Sequence, residues 1–449
     1  MTDIKKLFGT DGIRGKAGEF PLDQASVGLI GAALARILGS DSTGPIKILT
    51  GRDTRESGAW IEQSFTAGVV SEGGICQSAG VITTPGVAYL TGEEGFDAGV
   101  VISASHNPYY DNGLKVFLPT GKKLDKSRER LIEEAVHLGG EVQSSGIEVD
   151  HGGADLLRQK YLAGLKTKFA DLEMGGMKIV VDCAHGAASG LAPELFRSFG
   201  ADVIAINNQP DGRNINLDCG SLHLDGLSGR VVEEGADMGV AFDGDADRSL
   251  FVDESGGLVD GDATLWITAR YLKDRGVLKG DTVVATVMSN LGLEVALESI
   301  GVNLVRTSVG DKYVLEELVN SDFSVGGEQS GHIIFPTRGL VGDGMQTALF
   351  LIAALRSQGE SLGEGTHGFT KFPQVLVNAH VKEKLPFDEV TAIKNAAESL
   401  EQELGETGRL LLRYSGTENL ARVMIEGKNQ NEIELQANDL AKVIESTLG

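Results

Sequence analysis

A serine and a cluster of aspartates are the residues of this sequence best suited to direct chemistry. The segment Ser103–Pro108 follows the apolar run Gly99–Ile102, and ligands bind at the ends of strands in α/β layers. Its Asn-Pro pair favours a turn that can expose the Ser105 hydroxyl to backbone N–H groups, and Lys115 could add positive charge. We therefore expect Ser105 to act as a nucleophile. An ordinary turn with capping serines is the alternative.

Three aspartates separated by small residues follow the apolar run Met238–Phe242: Asp243, Asp245 and Asp247. Carboxylates so closely spaced repel one another unless they are solvated or share a cation. Oxygen ligands favour Mg²⁺ or Mn²⁺ over zinc. An EF-hand calcium loop is a competing interpretation because Glu254 falls at its twelfth position, but Arg248 occupies the sixth, where glycine is needed. Arg248 beside a cation suggests a phosphate between them.

Three further segments carry side chains suited to a phosphorylated sugar. Gly326–His332 combines a carboxylate, an amide, a hydroxyl and an imidazole, a mixture that suits sugar hydroxyls. Arg413–Asn419 and the following Arg422 offer hydroxyls, a glycine and two arginines, as a phosphate cradle requires. In the glycine-rich segment Phe8–Gly15, Arg14 is a candidate phosphate contact. For each segment, a polar turn is the alternative.

Composition narrows the class of protein. The 449 residues carry a formal net charge of −24, which argues against binding to nucleic acid or anionic membranes because both need a basic face. Three cysteines without a Cys-x-x-Cys pair indicate a reducing compartment. The first residues lack the apolar core of a signal peptide, and no apolar run is long enough to span a bilayer. We therefore expect a cytoplasmic enzyme.

Apolar β-type runs alternate with helical patterns along the chain, which predicts α/β layers with parallel or mixed sheets. The predicted strands are Ile46–Leu49, Ala98–Ile102, Lys178–Val181, Val203–Ile206, Met238–Phe242, Thr282–Val287 and Phe323–Val325. The predicted helices are Gln24–Leu38, Gly58–Glu72, Ser127–His137, Ala188–Phe199 and Gly344–Arg356. Polar stretches at Gly139–Gly153 and Ser357–Gly368, and a weaker one near Gly256, mark domain boundaries. The tail, 372–449, reads strand, helix, strand, strand, helix, which predicts a small α+β unit.

These five motifs, in this order, resemble those of the α-D-phosphohexomutase superfamily, and the resemblance extends from residue 8 to residue 422. Within it the chain is most similar to the branch that acts on amino sugars. The features typical of that branch are Gln329 within Gly327–His332, Pro210–Gly212, Asn214–Asn216 and Cys219-Gly220.

The resemblance implies three similar α/β domains with mixed sheets and a smaller C-terminal α+β domain around a central cleft. The implied domains are 1–153 with the phosphoserine loop, 154–256 with the metal loop, 257–370 with the sugar-recognition loop and 371–449 with the phosphate-binding loop. The chain departs from the branch at Asn419, where proline is usual, and at Lys312, where arginine is usual. The first departure loosens the phosphate loop, and the second keeps the charge but loses a bidentate fork.

The resemblance also implies roles for individual residues. The implied catalytic residues are Ser105, His106, Lys115 and Arg248. One Mg²⁺ per chain would be held by Ser105, Asp243, Asp245 and Asp247. The substrate would be contacted by Arg14, Glu328, Ser330, His332, Arg413, Ser415, Gly416, Thr417 and Arg422. Gln329 would tune what the 2-position of the sugar meets.

The implied reaction interconverts glucosamine 6-phosphate and glucosamine 1-phosphate, a step toward UDP-N-acetylglucosamine and cell-wall precursors. Phosphorylated Ser105 passes through a hexose 1,6-bisphosphate, which also serves as activator, and Lys115, His106 and His332 are the candidate general bases. The implied partner is a small phosphosugar, and a homodimer is the candidate oligomer. The alternatives are a phosphoglucomutase or phosphomannomutase, a non-catalytic phosphosugar-binding protein, and a phosphatase.

Overall fold

Helices and strands alternate along the chain in the computed structural model, which describes residues 6–40, 44–140, 142, 147–415 and 418–449. The chain divides into two compact units, residues 1–287 with 305–366, and residues 288–304 with 367–449. In the described part of the chain, no helix combines the length and apolar character that a membrane span needs.

The first sheet is mixed. Its elements are β1 (Ile13–Lys16), α1 (Gln24–Gly39), β2 (Lys47–Arg52), α2 (Gly58–Ser71), β3 (Ile75–Val81), α3 (Thr84–Glu93), β4 (Ala98–Ile102), β5 (Asp111–Phe117) and α4 (Lys126–Leu138). The strand order is β1-β5-β4-β2-β3. Strand β2 is parallel to β3 and β4, and β5 is antiparallel to β4 and β1. The β4 residues are all buried, as expected for a central strand covered on both faces.

The second sheet repeats the order of four of these strands, but the strand added at one edge is the last of its sheet in chain order and not the first. Its elements are α5 (Ala154–Lys168), β6 (Lys178–Asp182), α6 (Leu191–Ser198), β7 (Asp202–Ile206), α7 (Asp225–Glu234), β8 (Met238–Phe242), β9 (Ser249–Asp253) and β10 (Leu258–Val259). The order is β10-β9-β8-β6-β7, with β6 parallel to β7 and β8, and β9 antiparallel to β8 and β10. The helix predicted from Ala188 begins only at Leu191, after a turn that ends at Gly190.

The third sheet is shorter. Its elements are α8 (Gly261–Asp274), β11 (Thr282–Thr286), α9 (Leu291–Ser299), β12 (Asn303–Thr307), α10 (Asp311–Asn320), β13 (Gly326–Gly327), β14 (Ile333–Ile334), α11 (Gly344–Gln358) and α12 (Leu362–Gly365). The order is β12-β11-β13-β14, with β13 parallel to β11 and antiparallel to β14. Helix α9 belongs to the second unit.

One predicted strand of the third sheet was misplaced. The prediction at Phe323–Val325 followed β propensity, but the strand is the glycine pair Gly326–Gly327. A Cβ atom on Gly326 would lie 2.6 Å from the Val284 carbonyl oxygen. The strand is therefore glycine because the neighbouring backbone approaches too closely for a side chain.

The three sheets place the predicted motifs at equivalent points. Ser103–Pro108 lies between β4 and β5, Asp243–Arg248 between β8 and β9, and Glu328–His332 between β13 and β14. Each loop connects a strand with a parallel neighbour to the next, antiparallel strand. The fold therefore gives the three motifs one shared topological position.

The second unit contains the predicted tail. Its elements are β15 (Gln374–His380), α13 (Thr391–Leu404), β16 (Gly408–Tyr414), β17 (Leu420–Gly427) and α14 (Gln430–Leu448), and its antiparallel sheet has the order β15-β17-β16. The two helices pack apolar side chains such as Ile393 and Ile444 against β17 residues such as Val423. The predicted order of strands and helices is confirmed, as is the class of α/β layers with a smaller α+β tail.

Candidate active site

Ser105 lies in a constrained turn directly after β4. Its backbone is left-handed, with a φ of 53°, and the residue is 1% exposed. The Ser105 N–H donates to Ser103 Oγ over 2.9 Å, and the Ser105 hydroxyl donates to Asp243 Oδ2 over 2.6 Å. The predicted nucleophile and the predicted metal loop are therefore in direct contact.

The three aspartates converge. Each offers an oxygen within 4.8 Å of those of the other two, and all three are buried. Among the described residues, Asp245 Oδ1 and Asp247 Oδ1 have no hydrogen-bond partner. Burial, together with the charges of Asp247 and Asp245, raises the pKa of Asp243 well above its usual range. Buried oxygens without partners and mutually repelling carboxylates fit a hard cation, so the triad can bind a metal ion.

Lys115 is surrounded by carboxylates. Its Nζ lies 2.8 Å from Asp245 Oδ2, 3.1 Å from Asp247 Oδ2 and 3.0 Å from Asp11 Oδ2. Burial opposes its charge, but these three carboxylates prevail and raise the pKa of Lys115 well above its usual range. Lys115 therefore brings positive charge into the aspartate cluster.

Asp11 connects this cluster to the third α/β region. Its carboxylate also accepts from Arg14 Nη2 over 2.6 Å and from Lys123 Nζ over 2.7 Å. Lys123 in turn donates to Asp311 Oδ2 over 2.6 Å, at the first turn of α10. The charges around the pocket thus form a continuous network.

The two candidate histidines lie in different electrostatic surroundings. Burial and the charges of Arg248 and Arg14 lower the pKa of His106 to about 4, so its ring is neutral near pH 7. Its Nδ1 lies 3.3 Å from Ser105 Oγ. Burial opposes the charge of His332, but Asp247, whose Oδ1 lies 3.7 Å from His332 Nδ1, and other nearby carboxylates raise its pKa to about 9. The Gly342 N–H that donates to His332 Nε2 over 3.2 Å favours the neutral ring.

A pocket of about 390 Å³ joins four of the five motifs. Among the residues that line it are Arg14, His106, Asp247, Arg248, Glu328 and His332. Glu328 Oε1 accepts from the Gly310 N–H over 3.1 Å. Ser330 and Gln329 lie in the same loop but are not among the lining residues. The amide of Gln329 donates instead to Asp262 Oδ2 over 3.0 Å.

In the second unit, the predicted phosphate cradle lies at the end of β16. Arg413 and Arg422 are directly opposite each other on β16 and β17. Like charges facing each other in this way are destabilising, so an anion between them would be stabilising. Ser415 is buried, and its carbonyl oxygen accepts from Lys384 Nζ over 2.7 Å. The predicted contacts Gly416 and Thr417 lie outside the described residues.

Asn419 and Lys312, the two residues that depart from the branch, make few contacts that bear on the site. Asn419 is exposed just before β17, and its carbonyl oxygen accepts from the Val381 N–H over 3.0 Å. Lys312 lies 4.0 Å from Glu316 on the same helix. Neither is among the residues that line the pocket of about 390 Å³.

Sequence reasoning missed several residues that support these motifs. Thr84 Oγ1 donates to Asp245 Oδ2 over 2.5 Å. Arg55 and Asn216 donate to backbone carbonyls of the Ser105 loop. Asp11 lay inside a flagged loop and Asn216 inside a branch-specific segment, but neither pattern indicated a role. Thr84 and Arg55 had no local signal.

Family comparisons agree with this geometry. Phosphoglucomutase/phosphomannomutase domains match in order: alpha/beta/alpha domain I at residues 5–142, domain II at 159–257, domain III at 260–372 and the C-terminal domain at 376–443. The chain belongs to the phosphoglucomutase/phosphomannomutase family. The predicted superfamily and the predicted enzyme class, an isomerase of the phosphohexomutase type, are thereby confirmed.

Individual relatives refine the placement. The phosphoglucosamine mutase of Solibacter usitatus is 49% identical over 99% of both chains, and the predicted amino-sugar branch is thereby confirmed. A phosphoglucomutase/phosphomannomutase family protein from Burkholderia thailandensis has the same fold, with a TM-score of 0.79 at 21% identity over 98% of this chain and 97% of that one. The Aspergillus fumigatus N-acetylphosphoglucosamine mutase, solved with GlcNAc-6P and magnesium, has a TM-score of 0.68 at 20% identity over 99% and 96% of the two chains.

Proposed function

We propose that this chain interconverts glucosamine 6-phosphate and glucosamine 1-phosphate by way of phosphorylated Ser105, and so feeds UDP-N-acetylglucosamine synthesis. The observation that carries the proposal is the 2.6 Å contact between the Ser105 hydroxyl and Asp243 within the buried aspartate triad. A nucleophile beside a cation site is the arrangement that phosphoryl transfer requires. The substrate follows from the full-length similarity to a phosphoglucosamine mutase.

The side chains around Ser105 suit this transfer. Phosphorylated Ser105 donates to the free hydroxyl of the substrate: the serine O–P bond breaks, a sugar O–P bond forms, and the hydroxyl proton passes to a base. The base returns that proton to the Ser105 oxygen. The resulting 1,6-bisphosphate turns in the site, its other sugar O–P bond breaks as a serine O–P bond forms again, and the proton of the Ser105 hydroxyl passes back to the sugar oxygen. Lys115 and Arg248 place positive charge beside Ser105 and the aspartates, and Lys115, His106 and His332 are the candidate bases for the hydroxyl proton.

Mg²⁺ is the proposed metal because all its candidate ligands are oxygens. Asp243, Asp245 and Asp247 would hold it together with Ser105. When bound, it would neutralise charge that develops on the transferred phosphoryl group.

The remaining roles follow the same logic. Arg14, Glu328, Ser330 and His332 would contact the sugar. The non-transferring phosphate would be held by Arg413, Ser415, Gly416, Thr417 and Arg422. We retain the four predicted domains, a hexose 1,6-bisphosphate as activator and a homodimer as the candidate oligomer. A cytoplasmic location is supported by three buried, free cysteines.

The deciding experiment assays purified protein with Mg²⁺ on the 1-phosphates of glucosamine, glucose and mannose, and follows both isomerised product and free phosphate. We expect isomerisation, with glucosamine 1-phosphate giving the highest kcat/KM. A higher kcat/KM with glucose or mannose phosphate would assign the chain to a phosphoglucomutase or phosphomannomutase activity. Phosphate release without isomerisation would indicate a phosphatase, and binding without turnover a phosphosugar-binding protein.

A further inference from the structure

The backbone carbonyl of Ser105 is held by two side chains, of Arg55 and Asn216, that lie outside the five motifs. Arg55 Nη2 donates to the Ser105 carbonyl oxygen over 3.2 Å and to the Asn107 carbonyl oxygen over 2.5 Å. Asn216 Nδ2 donates to the same two oxygens, over 2.9 Å and 3.1 Å. Both carbonyls of the turn therefore receive donors from two separate side chains.

Arg55 is itself fixed. It is 1% exposed, and its Nη1 forms an ion pair with the fully buried Asp53. The other oxygen of Asp53 accepts from the Arg55 N–H over 3.0 Å. Asp53 Oδ2 also accepts from Ser103 Oγ over 2.6 Å, and Ser103 Oγ in turn accepts the Ser105 N–H. The amide and the carbonyl of Ser105 are thus tied to one buried ion pair.

Asn216 approaches the same turn from the second α/β region, between β7 and α7. The adjacent metal loop closes the surroundings, because a Cβ atom on Gly244 would lie 2.5 Å from the Ser105 carbonyl oxygen. The backbone of the metal loop therefore passes close to this carbonyl and leaves no space there for a side chain at position 244.

These contacts bear on catalysis because Ser105 has a φ of 53°, a left-handed conformation that L-residues with a Cβ adopt only when their surroundings enforce it. That conformation directs the hydroxyl to Asp243. We propose that Arg55 and Asn216 are positioning residues that keep Ser105 in its transfer-competent conformation, and that Asn216 makes this depend on the second α/β region. The inference deepens the proposed function and rests on it.

Asn216→Gly is the sharpest test. Asn216 has a φ of 59°, which glycine adopts freely, so this substitution removes the amide without straining the backbone. Asn207→Gly is the matched control: Asn207 has a φ of 48°, and its amide donates to Asp182 Oδ2 over 2.9 Å, away from the Ser105 turn.

We expect Asn216→Gly to lower kcat about ten- to a hundredfold, the range for a displaced reacting group. KM should change by less than about twofold because the substrate pocket is untouched. Asn216→Asp should be at least as damaging, since it places an acceptor against two carbonyl oxygens. Arg55→Lys should also lower kcat, because an ammonium group cannot reproduce the guanidinium fork. Asn207→Gly should leave kcat near the wild-type value.

The test starts from protein whose Ser105 phosphate has been removed, which intact mass verifies. Single-turnover transfer from glucose 1,6-bisphosphate to Ser105, followed by intact-mass analysis, then separates the positioning role from the phosphoserine function. Absence of transfer in the wild type would refute the proposed phosphoserine function. Transfer in the wild type with an unchanged rate in Asn216→Gly would overturn the positioning role alone. An equal loss in Asn207→Gly, or a rise in KM that accounts for the whole loss of kcat/KM, would overturn it as well.

Discussion

The loop after β4 and the loop after β8 occupy the same position in two sheets that share the order of four strands, β5-β4-β2-β3 and β9-β8-β6-β7, yet the two loops carry different functional groups. The first presents one hydroxyl, on Ser105, and the second presents three carboxylates. Each turn contains one left-handed residue, Ser105 with a φ of 53° and Ala246 with a φ of 55°. The fold therefore provides a position at the strand end, and the residues placed there decide the reaction.

The two loops also support each other. Asn216, from the second α/β region, binds the Ser105 loop. Thr84 and Lys115, from the first, bind Asp245 of the metal loop. Neither loop is complete within its own sheet. A substitution in one loop should therefore also disturb the geometry of the other. The two loops should still differ in the step that is lost: transfer to the serine in one and binding of the metal ion in the other.

The largest expected effect is on the serine side of the comparison. Ser105→Ala should abolish isomerisation while the fold stays intact, because in the described part of the chain the Ser105 hydroxyl is the one that donates to Asp243. Ser103→Ala keeps the nucleophile but removes the acceptor for the Ser105 N–H, so it should slow the reaction without stopping it. Intact mass should show one phosphoryl group on wild type and none on Ser105→Ala. Wild-type turnover in Ser105→Ala would exclude the phosphoserine mechanism.

Changes in the Asp243–Asp247 loop should act by weakening the binding of the metal ion. Chelation of divalent metal should stop isomerisation and readdition of Mg²⁺ should restore it. Asp245→Asn should weaken Mg²⁺ binding in calorimetry, because it removes one of three anionic ligands. Asp237→Asn is the control: Asp237 is an exposed carboxylate just before β8 whose oxygen accepts from the Lys178 N–H over 2.7 Å. Full activity in metal-free protein would contradict the assignment of the Asp243–Asp247 loop.

The sequence predicted the two loops well because each motif is local. Alternate aspartates after an apolar strand indicate a cation site, and a serine before an Asn-Pro turn indicates an exposed hydroxyl. Both patterns are contained within a few consecutive residues. The supporting residues were missed for the opposite reason: Thr84 meets Asp245 across 161 positions of the chain, and Asn216 meets Ser105 across 111. Only tertiary folding creates those contacts. The strand Gly326–Gly327 was missed because close backbone packing overrides β propensity there.

A smaller effect is expected in the second unit. Losing a charge-assisted phosphate contact costs about 1.5–3 kcal/mol, so Arg413→Ala should raise the substrate KM about 10- to 150-fold. It should not lower the melting temperature, because Arg413 faces Arg422 and its removal relieves a like-charge pair. Arg409→Ala on the same strand should lower the melting temperature and leave the substrate KM unchanged, since Arg409 pairs with the buried Glu426 at 2.8 Å. An unchanged KM for Arg413→Ala would place the phosphate elsewhere.

The smallest effect concerns the third loop, in which Glu328 lines the pocket and the adjacent Gln329 does not. Glu328 lines the pocket with Arg248 and His332, so its carboxylate can favour a protonated amine on the sugar. Gln329 was predicted to tune the 2-position. Its side-chain amide donates to Asp262 Oδ2, and its backbone carbonyl oxygen accepts from the Gly261 N–H over 2.9 Å at the start of α8.

Glu328→Gln should therefore narrow the ratio of kcat/KM for glucosamine 1-phosphate over glucose 1-phosphate. Gln329→Met should leave that ratio within about twofold, or roughly 0.4 kcal/mol, and should lower the stability of the fold by about 1 kcal/mol through one lost hydrogen bond. Specificity constants and urea unfolding of the two variants test this directly. If Gln329→Met narrows this ratio of kcat/KM values more than Glu328→Gln does, the side chain of Gln329 contributes to recognition of the sugar, and its hydrogen bond with Asp262 is not its main role.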